Sequence, residues 1–386
     1  MRVVLDGTPF LLEKTGIGHY TENLVTYLKK ESAKLEIILF SLSLRGGHRL
    51  KRMASELPGV ELKGYNLPAN FLYYRLWART SLLPAETLVG RFDIFHATNY
   101  QAPALREARL VTTVHDINFV RFPEMQSRGI RRFIGALPRL LERSVAVLAD
   151  SHFTVEELME VYGLPEEKVR VVYPGLNPVF LEKPTREETE TVLRAYCLTP
   201  PYLAYIGNLH PRKNLATLVE AFAILRERGL DRKLAVIGGG GLGKLNNTEY
   251  RKLTRRVKDL GLEKEVVFTG YVPDQSLKSL LLRADMLVFP SLYEGFGLPP
   301  LEAMACGVPV ITSRRASLPE VVGDAALLLD DPLDAQEIAA KVETLIEDPS
   351  LGVGLVEKGF ARAREFTWEK AAGEVLEVYR RAVEGR

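Results

Sequence analysis

The sequence predicts an α/β protein built from two doubly wound, parallel-sheet domains in tandem. Three observations carry this. The chain has 386 residues, too many for one ordinary core and suited to two domains of roughly 150–200 residues. Short β-branched apolar runs alternate with amphipathic helical patterns, and the whole series occurs twice. A proline-rich stretch lies between the two series.

The first series places strands over 2–5, 36–40, 93–96, 110–114, 146–149 and 169–172, with helical patterns such as 20–29 and 127–143 between them. Apolar strands separated by helices imply a parallel sheet covered on both faces. Residues 173–184 hold three prolines and a glycine. Proline fixes φ and lacks a donor, so this stretch reads as an extended linker. The second series places strands over 202–206, 233–237, 265–269, 286–289, 309–312 and 326–329. A last helix begins after Thr367, a residue suited to cap it, and runs to the end.

Composition narrows the class. Hydrophobic residues make up 46% and charged residues 26%, ordinary values for a soluble globular chain. No apolar run approaches the ~20 residues of a membrane span, and the first residues lack the basic and apolar regions of a secretory signal. Cys197 and Cys306 stand alone, too few for a disulfide framework or a structural zinc site, which fits a reducing cytoplasm. Net charge is +2, yet between Arg45 and Arg143 sixteen Lys and Arg stand against eight Asp and Glu. Such an excess is either a solvated basic face or a surface for an anionic acceptor or anionic lipid, where each cation near a bilayer gains about 1 kcal/mol.

In doubly wound sheets ligands sit beyond the carboxyl ends of the strands, and the motifs lie there. Glu294-Gly295-Phe296-Gly297-Leu298-Pro299-Pro300-Leu301-Glu302 follows a strand and opens a helix expected from Pro300. Its glycines allow close approach of backbone to a ligand. The free amides near Gly297 and Leu298 suit a phosphate or sugar hydroxyl at a helix N-terminus. Glu294 in the loop and Glu302 in the first helical turn can each accept hydroxyl donors from a diol. Gly207-Asn208-Leu209-His210-Pro211-Arg212-Lys213-Asn214 also follows a strand. Asn214 is placed to cap the next helix, and Arg212 and Lys213 form a cationic receptor for a diphosphate leaving group. Thr15-Gly16-Ile17-Gly18-His19 reads as a short glycine loop before a helix at Tyr20, and His115-Asp116 ends a strand at a cleft edge.

These motifs, with Ala149-Asp150-Ser151-His152-Phe153-Thr154, Phe268-Thr269-Gly270-Tyr271-Val272 and Pro319-Glu320-Val321-Val322-Gly323, run in order from residue 15 to 323. The chain resembles the retaining GT-B glycosyltransferases of family 4, the group 1 transferases, and especially their O-antigen mannosyltransferase-like branch. The resemblance implies two Rossmann-like domains with an interdomain cleft. Residues 1–175 would be the acceptor side, with helix 367–386 returning to it, and 176–366 would bind the donor. Arg212 and Lys213 would hold the diphosphate, and Glu302 the ribose. Glu294 with the amides of Phe296, Gly297 and Leu298 would hold the sugar. Gly16 would close on the diphosphate, Gly207 and Asn208 would line the donor site, His115 would touch the sugar near its 6-hydroxyl, and Tyr271 and Val272 would meet the base. Neither a metal nor a cofactor is expected, and nucleic acid is not an expected partner. Same-face attack by the acceptor hydroxyl would pass its proton to the leaving phosphate.

The branch points to mannose from GDP-mannose, moved to a saccharide or lipid-linked saccharide in surface glycan synthesis, with UDP-glucose or UDP-N-acetylglucosamine as alternative donors. Phe71–Arg79 and the helix near Arg128–Arg143 mix aromatics with arginines, suiting a lipid-linked acceptor or peripheral contact at the inner face of the membrane. A different class is weighed through Gly238, Gly240 and Gly243, which fit G-x-G-x-x-G after a strand. A dinucleotide site also needs an acid at the end of the next strand. Asp259 precedes that strand, so an oxidoreductase is disfavoured. Asp330-Asp331 reads as a turn rather than a metal-binding pair.

Overall fold

The computed structural model describes residues 1–11, 16–43, 50–52, 55–68, 72–73, 77, 80, 82–125, 130–239 and 248–385. Thr15, Gly240, Gly243 and most of Phe71–Arg79 lie outside the described residues, as do 126–129 at the start of the predicted 127–143 helix. The chain divides into two compact units, one of Met1–Gly175 with Thr367–Arg386 and one of Leu176–Phe366.

In the first unit the described strands are β1 (Arg2–Asp6), β2 (Glu36–Leu42), β3 (Val60–Tyr65), β4 (Ile94–Ala97), β5 (Arg109–Val114), β6 (Ala146–Ala149) and β7 (Val169–Val171). They form one sheet in the order β3-β2-β1-β4-β5-β6-β7, and the pairings are parallel. One face packs Leu24, Val25 and Leu28 of the helix Gly16–Glu31 and Trp368, Val375 and Tyr379 of the helix Trp368–Glu384 against Val3, Leu5 and Leu39. The other face buries Phe40, Phe95, Leu137, Leu141 and Leu158. Covering both faces is what makes the central strands apolar throughout rather than alternating. β3 escapes the sequence reading because VELKGY is half-exposed along its whole length, as an edge strand can be.

The second unit repeats the plan. Its described strands are β8 (Tyr202–Ile206), β9 (Lys233–Ile237), β10 (Val266–Gly270), β11 (Met286–Phe289), β12 (Val310–Ser313) and β13 (Leu327–Leu329), in the order β10-β9-β8-β11-β12-β13. In both sheets the order reverses beside the first strand, creating the switch point where doubly wound folds bind ligands.

Three local expectations need correcting. Residues 16–19 are helical rather than a loop, since the helix starts at Gly16 and Thr21 Oγ1 donates back to the Ile17 carbonyl. The predicted 173–184 linker contains a helical turn, Pro178–Leu181, capped by Asn177. That turn buries Phe180, and Leu176 before it is buried too. The helix expected at Pro300 begins at Leu298, with the two prolines inside its first turn.

Candidate active site

Glu294 is the hub of the second unit's polar cluster. It is buried in the loop between β11 and the helix Leu298–Ala305. Its Oε2 accepts from Arg212 Nη1 at 3.0 Å, and its Oε1 accepts from Lys213 Nζ at 2.5 Å and Ser291 Oγ at 2.6 Å. Arg212 Nη1 also donates to the Tyr293 carbonyl at 2.7 Å. Burial pushes the Glu294 carboxyl up, but the charges of Lys213 and Arg212 and the donated hydrogen bonds outweigh it, so its pKa is held below the usual value. A carboxylate shared by the buried Lys213 and the partly buried Arg212 fixes both side chains with an excess of positive charge.

Arg212 and Lys213 occupy a short helical turn, Pro211–Lys213, whose first free amide is taken by His210 Nδ1. Asn214, expected to cap the following helix Leu215–Glu227, makes no side-chain cap to its backbone. Its Nδ2 donates to the carbonyls of Pro290 and Pro332, and its Oδ1 accepts from Thr217 Oγ1. Residue 214 has a left-handed φ of 56°, which aims the amide at those carbonyls instead of the helix amides.

Serines missed by the sequence reading hold the glycine loop. Ser317 Oγ donates to the carbonyls of Glu294 and Phe296 at 2.9 and 2.7 Å, and Ser313 Oγ donates to the Ser291 carbonyl. Phe296 is buried against Phe366, with ring centroids 5.4 Å apart. Gly297 caps the helix Leu298–Ala305 at φ 112°, and a Cβ there would lie 2.7 Å from Leu318 Cδ2. Only glycine fits both demands.

Beside this cluster, the carboxyl ends of β8, β9 and β10 meet. Gly207 N donates to the Ile237 carbonyl and Gly238 N to the Gly270 carbonyl, each at 2.9 Å. A Cβ on Gly238 would stand 2.6 Å from the Gly207 carbonyl oxygen, so the glycine serves this close packing. Asn208 is exposed, while its carbonyl accepts from the buried Tyr205 hydroxyl at 3.2 Å. After β10, Tyr271 is 58% exposed and Val272 is buried. β10 ends without an acidic residue, and Asp259 lies on the helix Thr248–Asp259.

Glu302 is half-buried on the helix Leu298–Ala305 and accepts no hydrogen bond from another side chain among the described residues. Burial pushes its carboxyl up to about 8, and the nearby charge of Asp274 adds to the rise. Within the motif, one carboxyl is thus held below its ordinary range and the other is pushed above it.

In the first unit, His115 follows β5 and Asp150 follows β6. His115 Nδ1 stands 2.7 Å from Asp150 Oδ2 and Nε2 stands 3.1 Å from the Thr98 carbonyl. Tyr20 meets the imidazole edge-on, with centroids 4.7 Å apart. Gly16 is exposed at the start of its helix. Arg212, Lys213 and Glu294 are therefore in direct contact, whereas His115 and Gly16 belong to the other unit. Among the described residues no helix is long and apolar enough to cross a membrane.

Residues 14–180 match Glycosyltransferase Family 4 and residues 196–362 match Glycosyl transferases group 1. The chain is 30% identical over 395 residues to the O-antigen chain mannosyltransferase B of Escherichia coli, covering 98% of this chain and all of that one. The sucrose-phosphate synthase of Thermosynechococcus elongatus superposes with a TM-score of 0.77 at 21% identity, over the full length of both chains. Anabaena HepE, solved with UDP and glucose, gives a TM-score of 0.74 at 20% identity over 98% of this chain and 99% of that one. The two parallel sheets, the motifs at their carboxyl ends and the full-length match together show that the chain is a group 1 glycosyltransferase of GT-B fold and of the O-antigen mannosyltransferase type.

Proposed function

We propose that the chain is a retaining, metal-independent hexosyltransferase that moves mannose from GDP-mannose to a saccharide or lipid-linked saccharide during surface glycan synthesis. The observation that carries the chemistry is the buried Glu294–Arg212–Lys213 cluster. When the bond from the anomeric carbon to the β-phosphate breaks, negative charge gathers on the leaving diphosphate. Two cations already fixed by Glu294 stabilise that charge without having to reorganise. The amides of Phe296, Gly297 and Leu298 at the start of a helix hold the donor, and Glu302 takes the ribose. Gly16, Gly207 and Asn208 line the donor, Tyr271 and Val272 meet the base, and His115 hydrogen-bonds a hydroxyl of the sugar. The acceptor hydroxyl attacks the anomeric carbon from the face that the phosphate leaves, and its proton passes to the departing phosphate oxygen.

The full-length likeness to a mannosyltransferase supports mannose. Turnover of GDP-mannose, UDP-glucose and UDP-N-acetylglucosamine, each with and without EDTA, tests donor and metal together. Transfer of α-linked mannose from GDP-mannose that survives EDTA is expected. Preference for a UDP-sugar would sink the donor assignment, and loss with EDTA would sink metal independence. The basic excess between Arg45 and Arg143 supports peripheral contact with anionic lipid, and vesicle sedimentation that is insensitive to salt or absent would remove that part.

A further inference from the structure

The geometry points to Asp150 as the positioning residue of His115: it keeps a proton on both ring nitrogens, so that the ring is pinned between Asp150 and the Thr98 carbonyl as a cation whose charge favours the anionic nucleotide sugar. The inference deepens the reading above and rests on it. Its basis is the pair of partners. Asp150 Oδ2 and the Thr98 carbonyl can only accept, and they face Nδ1 at 2.7 Å and Nε2 at 3.1 Å. A neutral imidazole has one N–H, so it would leave one ring lone pair facing an acceptor oxygen. The imidazolium satisfies both contacts.

Asp150 is suited to this task. It is buried, and its other oxygen, Oδ1, has no hydrogen-bond partner among the described residues. Its charge is therefore not spent on a second donor. It also precedes Ser151, the cap of the helix His152–Tyr162, whose N-terminal end favours an anion. The other groups around the imidazole are Asp116 beside it in the chain, Tyr20 edge-on at 4.7 Å, Tyr100 at 6.3 Å and the buried His96. Tyr20 and Tyr100 are both held above the ordinary tyrosine range by burial and stay neutral. His96 is kept neutral by burial, which pushes it down to about 3. Burial alone would lower His115 as well, but the Asp150 charge and hydrogen bond outweigh it and raise the net value.

The chain has six histidines, so imidazole NMR titration of the full-length protein can read His115, assigned by its loss in His115→Gln. In the wild type His115 is expected to titrate above the ordinary value of about 6.5. It should fall below that value in Asp150→Asn and stay raised in Asp150→Glu. Above both pKa values, kcat/KM of Asp150→Asn should drop about tenfold for each unit by which the pKa falls, with the alkaline limb of the profile moving to lower pH. A wild-type His115 neutral at pH 6 overturns the inference without any variant, which covers an Asp150→Asn protein that does not fold. Equal His115 titration in wild type and Asp150→Asn overturns it too, as does a shifted titration with an unmoved rate profile. A wild type that transfers no sugar from any of the donors sinks the proposed function instead, and the titration still decides the pair.

Discussion

The two ends of the 294–302 stretch carry the same side chain in opposite states. Glu294 lies in a loop where two cations and a serine reach it, and its pKa is held low. Glu302, eight residues on, lies on a helix where, among the described residues, burial is not offset by a cation, and its pKa rises to about 8. Desolvation acts on both, so the difference comes from partners, not from depth. The first carboxylate is engaged by two cations, while the second accepts no hydrogen bond from another side chain among the described residues.

The largest way to break this contrast is at the hub. Glu294→Gln leaves the buried Lys213 and the partly buried Arg212 without their counter-charge, which costs about 3–5 kcal/mol when one partner of a buried ion pair is removed. A matching fall in the unfolding midpoint is expected, and an unchanged midpoint would show that the cluster is not desolvated. Arg212→Ala or Lys213→Ala should each cut kcat by about 10²–10³-fold with circular dichroism unaltered. Near-normal rates in both variants would remove the leaving-group role. Gly297→Ala combines a left-handed φ with a 2.7 Å approach to Leu318. It should cost about 1–3 kcal/mol, seen as a lower Tm and a higher KM for the donor.

A pH-dependent test sharpens the other end. The folded-state pKa of Glu302 is raised to about 8, above an unfolded value near 4.3. Its contribution to stability is therefore fully present below about pH 4.3 and lost as pH rises to about 8. Glu302→Gln, which mimics the protonated acid, should match wild-type Tm below pH 4 and exceed it at pH 9. A wild type that equals or exceeds the variant at pH 9 would show that the carboxylate has a partner after all. If the ribose hydroxyls bind the ionised form, GDP binding at pH 7 should also release a proton, measurable by calorimetry in buffers of different ionisation enthalpy.

Much of the fold can be read from residues alone. Runs such as YLAYI at 202–206 and MLVF at 286–289 are apolar on both faces, and only a doubly covered strand needs that. β3 is not readable in this way, because an edge strand with polar residues on both faces has the composition of a loop. The site divides similarly. Arg212, Lys213 and Glu294 stand out because charged residues beside glycines at strand ends have few structural uses. Ser291, Ser313 and Ser317 do not, since a serine that pins a loop carbonyl looks like any surface serine. Asp150 is visible in its motif, yet its partner lies 35 residues away.

What the sequence determined by itself is the period of its apolar residues, the placing of its glycines and the charge at its strand ends. Those are local properties, set by the chain's own dihedral freedom and by which faces must leave water. What only the tertiary structure decided is which charges touch. Glu294 reaches Lys213 across 81 residues, and Tyr379 on the last helix reaches His96 across 283. Protonation state follows from such contacts because burial and neighbouring charge act through space, at distances that sequence spacing does not record.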